Sequence, residues 1–373
     1  MSRKSELLAS LLLVPASLLV LLLASELFFR FILPAPDIPA PAFIDEVLRY
    51  QPGQRGVYWS GNDLRAPFAI NAQGWNSARA DSPLARTSAL LIAEVGDSFV
   101  EALQVPPDVS LAENLERELG AGTEVFRYGM SGAAISQFLH IVRRVALTAH
   151  PDVLVVLMVH RDFGESYRHV PGMYTRSFLR LHLGQDGSVE EIQPNPYDQG
   201  FISHIRNLSA TWRFLVYGRQ VRFDALRLLF LPQEKQPRYQ GNVDVSGLAE
   251  RESLDRRATA YLFGRLAAES AQAGVKLLLV MGGVRTLIEA DSPQAQDYDT
   301  GALRLNRLAA QEAARLGIPF LDLHPFFVED FHLNRRPFAF KLDAHWNAHA
   351  HVVAAHAVAA KLRELGWTAP APR

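Results

Sequence analysis

Two short segments near opposite ends of the 373-residue chain carry side chains that together can perform acyl transfer. In the first, Leu90-Leu91-Ile92-Ala93-Glu94-Val95-Gly96-Asp97-Ser98-Phe99, a strand runs into a glycine turn that would raise Ser98 at the strand's carboxyl end, where open α/β sheets place their ligands. The second, Leu342-Asp343-Ala344-His345-Trp346-Asn347, supplies an aspartate and a histidine. A serine hydroxyl is almost never ionised at neutral pH, so it must pass its proton to an imidazole as it attacks a carbonyl. His345 is the expected base and later the acid, with Asp343 accepting a hydrogen bond from its other ring nitrogen and stabilising the imidazolium. The plainer reading of Gly96-Asp97-Ser98 is a turn with a helix cap. Its place at the end of a strand, with Asp343 and His345 opening a C-terminal helix, favours chemistry.

These blocks resemble those of the SGNH/GDSL hydrolase superfamily, whose first block is Gly-Asp-Ser before an apolar residue and whose last carries Asp and His. The resemblance spans residues 89–365 with a divergent middle. It implies a flavodoxin-like three-layer α/β/α fold with a central parallel sheet, and an acyl-Ser98 intermediate. It also implies three oxyanion donors: the nucleophile's N–H, a glycine N–H from the second block and an asparagine side chain from the third. Ser98 would supply the first. Tyr128-Gly129-Met130-Ser131-Gly132 follows a strand as the second block does, which points to Gly132. The third block reads Val159-His160-Arg161-Asp162-Phe163, so Arg161 stands in the asparagine's place. A guanidinium can donate to an oxyanion, but its length requires a different approach; alternatively it pairs with Asp162 or with a substrate carboxylate. Asp97, His160 and Asp162 are candidates to line the site.

One residue rather than two separates Asp343 from His345. This Asp-x-His-Trp form is similar to membrane-linked relatives and polysaccharide acetyltransferases of the superfamily. The implied function is a serine esterase acting on an acyl ester of a carbohydrate, acetyl being the expected group, with an acylated carbohydrate or small ester as partner. An O-acyltransferase to a polysaccharide shares every catalytic residue, and a non-catalytic carbohydrate-binding or assembly protein on a decayed hydrolase fold is the alternative of another class. His345, His349 and His351 with Asp343 also read as metal ligands, but no Glu follows His345 as in zinc-protease helices. The expectation is no metal and no cofactor. His349 and His356 should decorate the terminal helix, and Trp346 should pack behind the base.

The elements that must position these residues follow from periodicity. From residue 89 the chain alternates strand-like and helix-like segments, the pattern of a parallel sheet covered on both faces. Strands are expected at 90–95, 124–128, 153–159, 275–281 and 319–323. Helices fit 111–119, 135–147, 254–273, 301–316 and 348–365, the first opened by a Ser110/Glu113 capping box and closed by Gly120. Residues 164–250 break the alternation with aromatics, arginines and turns at Asp186-Gly187 and Pro194-Asn195. Such an insertion after a strand's carboxyl end is expected to cap the site and carry substrate choice.

Composition sets the frame. With 49% hydrophobic and 21% charged residues the chain can bury a large core, which excludes general disorder. A net charge of −1 gives no electrostatic reason to expect nucleic acid. The absence of cysteine excludes disulfides and thiolate chemistry without fixing the compartment. Arg3 and Lys4 precede residues 7–25, an uncharged run that spans about 28 Å as a helix, against a hydrocarbon core of about 30 Å. A cleaved signal peptide is the alternative, but the run is longer than such regions usually are. The expected organisation is a membrane anchor over 1–33, a proline-rich stalk over 34–46, a β lead-in over 47–88, and the hydrolase-like domain over 89–368. The protein should contact the membrane through residues 7–29, with Glu26 and Arg30 at the outer interface. It would be a single-pass protein of the inner (cytoplasmic) membrane with its catalytic domain facing the periplasm or exterior.

Overall fold

The computed structural model describes residues 3–77, 79, 88–169, 174–221, 238–240 and 243–369, so parts of the lead-in and of the insertion lie outside the described residues. Period-two alternation builds the centre. In β5 (Leu90–Gly96), Leu91, Ala93 and Val95 enter one apolar layer while Leu90 and Ile92 enter the other. β7 (Val153–Met158) and β12 (Lys276–Met281) divide their side chains in the same way. Both faces are covered, as parallel strands require. Helices Ile135–Arg144, Leu248–Gln272 and Leu303–Arg315 supply one layer; Leu111–Leu119, His324–Asn334 and Ala348–Glu364 supply the other. The protein is thus a three-layer α/β/α fold on a five-stranded parallel sheet.

With β6 (Thr123–Gly129) and β13 (Phe320–Asp322) the strand order is β13-β12-β7-β5-β6. Counted in chain order this is 2-1-3-4-5, the flavodoxin-like arrangement whose switch point lies between its first and third strands, here β5 and β7. Ser98 follows β5, so the expected nucleophile stands at that switch point.

The turn at the end of β5 depends on two glycines paired across the sheet, Gly96 and Gly129. A Cβ on Gly129 would fall 2.0 Å from the Glu101 backbone nitrogen, and one on Gly96 would fall 2.4 Å from Val100 Cγ2. Their bareness lets helix Ser98–Glu101 sit directly on the strand ends.

Several elements differ from the periodicity reading. Helix Leu248–Gln272 begins inside the expected insertion, six positions before residue 254. Residues 135–147 divide into Ile135–Arg144 and a 3₁₀ turn Ala146–Ala149. Helix His324–Asn334 had no sequence expectation; its Pro325 fits a first helical turn, but its aromatics give no clean stripe. The Ser110/Glu113 capping box is replaced. The Ser110 hydroxyl binds the Glu113 carboxylate directly, and the Leu111 N–H donates to His351 Nδ1 at 3.1 Å from the terminal helix. In the insertion, β8 (Arg180–Leu183) and β9 (Val189–Ile192) form a hairpin around Gly187, whereas Pro194-Asn195 makes no turn and Asn195 N–H donates to Arg176 O at 2.9 Å.

The lead-in comprises two antiparallel hairpins, β1 (Pro41–Ile44) with β2 (Val47–Tyr50) and β3 (Arg55–Ser60) with β4 (Leu64–Ala69). The first turns on Asp45 and Glu46, both at positive φ as a two-residue loop of this twist requires. Leu48, Tyr50, Phe68, Ile70 and Trp75 join the main core.

The proline-rich segment expected as a stalk over 34–46 is bound to the body. Asp37 N–H donates to Val57 O at 2.9 Å, Arg213 Nη1 donates to Pro36 O at 2.8 Å, and Ala35 packs with Ala210 and Phe214. Proline removes donors but leaves carbonyls, and these carbonyls bind the body. The N-terminal helix Arg3–Leu27 continues into a π-helical turn Phe28–Ile32, and Leu13–Ile32 is long and apolar enough to cross a membrane. Glu26 and Arg30, expected at the outer interface, hold the insertion. Glu26 accepts from the N–H groups of Ala210 and Thr211 and from the Ser209 hydroxyl, while Arg30 donates to Leu208 O at 2.9 Å.

Candidate active site

The structure brings together the three side chains singled out from distant segments. Ser98 is the first residue of helix Ser98–Glu101, with Asp97 as N-cap accepting from Phe99 N–H at 2.9 Å. A first helical residue has a backbone N–H without an intrahelical partner. Ser98 Oγ lies 2.8 Å from His345 Nε2, and His345 Nδ1 lies 2.5 Å from Asp343 Oδ1. Asp343 Oδ1 also accepts from the backbone N–H of His345 at 2.9 Å, which closes a tight turn around Ala344. That second bond explains how a one-residue spacing still presents the imidazole.

Electrostatics favour an ionised aspartate and a basic imidazole. Burial pushes the Asp343 carboxyl up, but the charge of His345 and the bonds it donates outweigh burial and leave it below the usual range. Burial likewise disfavours the charged imidazole, and Asp343 overcomes this, so His345 is raised above its ordinary value. The Tyr58 hydroxyl donates to Asp343 Oδ2 at 3.4 Å.

The cleft in front of Ser98 is lined from three strand ends, Asp97 to Phe99 after β5, Val159 to Arg161 after β7, and Gly282, Gly283 and Arg285 after β12, and from the loop Ala344 to Trp346 before the terminal helix. Among the described residues none from 164–250 lines it; residues 170–173, 222–237 and 241–242 of the expected insertion lie outside the described residues. Part of the insertion instead borders a neighbouring pocket, with Glu165, Arg168 and Asp244, that shares His160 and Arg161 with the cleft.

Of the other candidates, Asp97, His160 and Arg161 line the cleft and Gly132 and Asp162 do not. Gly132 lies at φ 79°, and a side chain there would begin 3.6 Å from Arg161 Nη2, so the two proposed oxyanion donors are neighbours. Arg161 faces Glu165 at 3.3 Å and Asp162 at 3.9 Å. Burial pushes both Asp97 and Asp162 up, and the guanidinium of Arg161 opposes it. Asp162 Oδ2 accepts from Val159 N–H at 2.7 Å and so shapes the loop. His160 is buried, pushed down to about 4 by burial against an Asn306 hydrogen bond at 2.7 Å, and therefore neutral at pH 7. Asn306 goes on to Gly282 O and Asp322 Oδ1, which links the ends of β7, β12 and β13.

The histidines read as possible ligands have other partners. His349 pairs with Asp330 at 2.6 Å, His351 accepts from Leu111 N–H, and His356 pairs with Glu118 at 2.9 Å. Among the described residues no group of three His, Cys, Asp or Glu is placed to hold a metal. Trp346 meets Phe99 and Phe327 edge to face at 5.1 and 5.4 Å, and Phe99 in turn packs against the His345 ring at 5.2 Å.

Sequence reasoning missed a buried cluster behind the nucleophile. Glu101, at the end of the serine's helix, accepts hydrogen bonds from the hydroxyls of Tyr50 and Ser131. Burial pushes its carboxyl up to about 7 against those bonds. Asn76 Nδ2 donates to Glu101 O at 2.9 Å, which ties the lead-in to the same helix. The available signal was a Glu one helical turn past Ser98, too common a spacing to single out.

Residues 245–372, about a third of the chain, match the family model of the SGNH hydrolase-like domain of acetyltransferase AlgX. That match, with the flavodoxin-like sheet and the Gly-Asp-Ser turn at its switch point, makes the chain similar to SGNH hydrolase-like domains, with relatives of the O-acetyltransferase type. Solved structures similar to it include a Mycobacterium smegmatis aryl esterase, at 13% identity over 74% of this chain and 99% of that one, TM-score 0.39. A catalytic mutant of Axe2, an acetylxylan esterase from Geobacillus stearothermophilus, aligns at 12% identity over 77% and 98%, TM-score 0.40. The acetyl xylan esterase AlAXEase aligns at 13% over 74% and 99%, TM-score 0.39. No curated protein matches the chain.

Proposed function

We propose that the protein transfers a small acyl group, acetyl in the first instance, to or from a carbohydrate hydroxyl through an acyl-Ser98 intermediate. The observation that carries this reading is the hydrogen-bonded series Ser98 Oγ, His345, Asp343, with distances of 2.8 and 2.5 Å. Ser98 Oγ attacks the ester carbonyl as His345 Nε2 takes its proton; the same nitrogen then protonates the leaving alkoxide. Asp343 keeps Nδ1 protonated and stabilises the imidazolium. The Ser98 N–H, the Gly132 N–H and the Arg161 guanidinium serve as oxyanion donors, and each is worth roughly 2.7–4 kcal/mol on the scale of known donors. Water on the acyl-enzyme gives an esterase, and a sugar hydroxyl gives a transferase. The match to an acetyltransferase domain favours the transferase as the second reading.

The N-terminal helix serves as a single-pass anchor of the cytoplasmic membrane. The basic Arg3 and Lys4 ahead of it favour an inner amino terminus and an exported body. The test is acetate release from p-nitrophenyl acetate by the full-length protein in detergent, with and without an acetyl-accepting oligosaccharide, alongside labelling by a fluorophosphonate. Wild type labels and turns over, and Ser98→Ala does neither. Folded wild type that neither labels nor turns over overturns the enzyme and leaves a binding protein.

A further inference from the structure

Beyond the site, one surface has the wrong polarity for water. In helix Phe201–Leu208 the apolar side chains Phe201, Ile202, Ile205 and Leu208 are 78%, 65%, 48% and 57% exposed, while the polar Ser203 and Asn207 are the more covered ones. At helical spacing the four apolar residues occupy an arc of about 120°. A helix on a water-facing surface turns its apolar stripe inward. This one turns it outward.

Its position says what covers it. The carboxyl end of this helix is fastened to the base of the N-terminal helix by Arg30 Nη2 to Leu208 O at 2.9 Å. The next residues are fastened too, by Glu26 to the N–H groups of Ala210 and Thr211 at 2.8 and 3.1 Å, and by Ser25 Oγ to Thr211 Oγ1 at 3.1 Å. Phe29 stacks on Phe214 with ring centroids 4.0 Å apart. The exposed stripe is therefore continuous with the end of the spanning segment Leu13–Ile32, at the level where that segment leaves the hydrocarbon. Next to the stripe, Arg206 lies over the Trp212 ring at 4.9 Å, an arginine and tryptophan pair of the kind that suits the headgroup region.

We infer that helix Phe201–Leu208 is an interfacial membrane helix that lays Phe201, Ile202, Ile205 and Leu208 into the headgroup and acyl boundary beside the anchor. This rests on the reading of the N-terminal helix as a spanning anchor. Two attachments, one spanning and one lying flat, fix the orientation of the catalytic body over the bilayer, where one flexible tether would let it tumble.

The chain has no cysteine, so single-cysteine nitroxide labels are unique. Full-length protein carrying Leu19→Cys, Ile202→Cys, Ile205→Cys or Asn207→Cys is labelled in phosphatidylcholine vesicles. Collision rates are then read with oxygen, which concentrates in lipid, and with a water-soluble nickel chelate. The expected result is a lipid-like oxygen-to-nickel ratio at 19, 202 and 205 and a lower one at 207. A lipid-like ratio at 19 with a water-like one at 202 and 205 overturns the interfacial helix and leaves the anchor standing. A water-like ratio at 19 overturns the anchor reading itself, and the inference with it. Protection of 205 from both reagents means that protein covers the stripe, which also overturns the inference. Ile202→Asp with Ile205→Asp changes exposed positions outside the cleft, so hydrolysis of soluble p-nitrophenyl acetate persists, while a label at Phe201→Cys turns water-like and the label at 19 stays lipid-like.

Discussion

His345 stands between two opposing influences, burial that disfavours its charge and Asp343 that favours it, and the aspartate wins. The imidazole must be neutral to accept the Ser98 proton, so kcat/KM should rise with pH through an apparent pKa above the ordinary value of about 6.5. Asp343→Asn removes the larger of the carboxylates that oppose burial, leaving Asp97. It should move that limb to lower pH and, from the tautomer it enforces, reduce kcat by up to about 10⁴-fold; a pH–rate profile of both proteins checks this. Linkage has the matching sign. The raised imidazole stabilises the fold fully below its unfolded-state pKa and loses that contribution as pH rises through the folded value, whereas the depressed Asp343 loses its contribution as pH falls. Arg161→Ala should lower kcat by roughly 10²- to 10³-fold if the guanidinium donates to the oxyanion, with a smaller change in KM. Ser98, Asp343 and His345 could be found in the sequence because their chemistry requires those residue types. Glu101, Tyr50 and Tyr58 could not, since each acts only through neighbours that folding supplies.

The strands were legible because residues buried on both faces leave runs too apolar for anything but a covered sheet, and all five appear in it. Helix limits were less so: Leu248–Gln272 starts early because tertiary packing of Leu248 and Ala258 extends it beyond the stripe visible in the sequence. The Ser110 cap went astray because its hydroxyl binds the Glu113 carboxylate instead of a backbone N–H, while His351 from a distant helix accepts from the Leu111 N–H. The Gly96 and Gly129 pair is the element-scale feature on which Ser98 most depends. In Gly129→Ala the new methyl meets backbone that cannot swing aside, so helix Ser98–Glu101 must lift from β6. Overpacking of this kind costs about 1–3 kcal/mol, which urea unfolding should read as a lower midpoint together with weaker fluorophosphonate labelling of Ser98.

For the whole molecule, the segment expected to roof the site has another task among the described residues. A relay of direct contacts runs from the base of the N-terminal helix through Phe29 and Phe214 to Trp59, and from Gly218 O to Gly61 N–H at 2.8 Å. It continues from Asp63 to Lys341 N–H at 2.8 Å, beside the loop of Asp343 and His345. Glu26→Ala removes the carboxylate that binds the first N–H groups of helix Ala210–Arg213. With about 1 kcal/mol lost per helix cap, amides 210–212 should exchange at least roughly fivefold faster by hydrogen–deuterium exchange, with Ser98 labelling retained. What the sequence determined by itself was whatever follows from local composition: the apolar strands, the reactive residue types in their order, and a helix apolar enough for lipid. Tertiary structure alone decided which carboxylates are pushed up, which carbonyls of the proline-rich segment find donors, and that described residues of the insertion grip the N-terminal helix. Those outcomes depend on desolvation and on partners hundreds of residues away, and neither is written in any one stretch of chain.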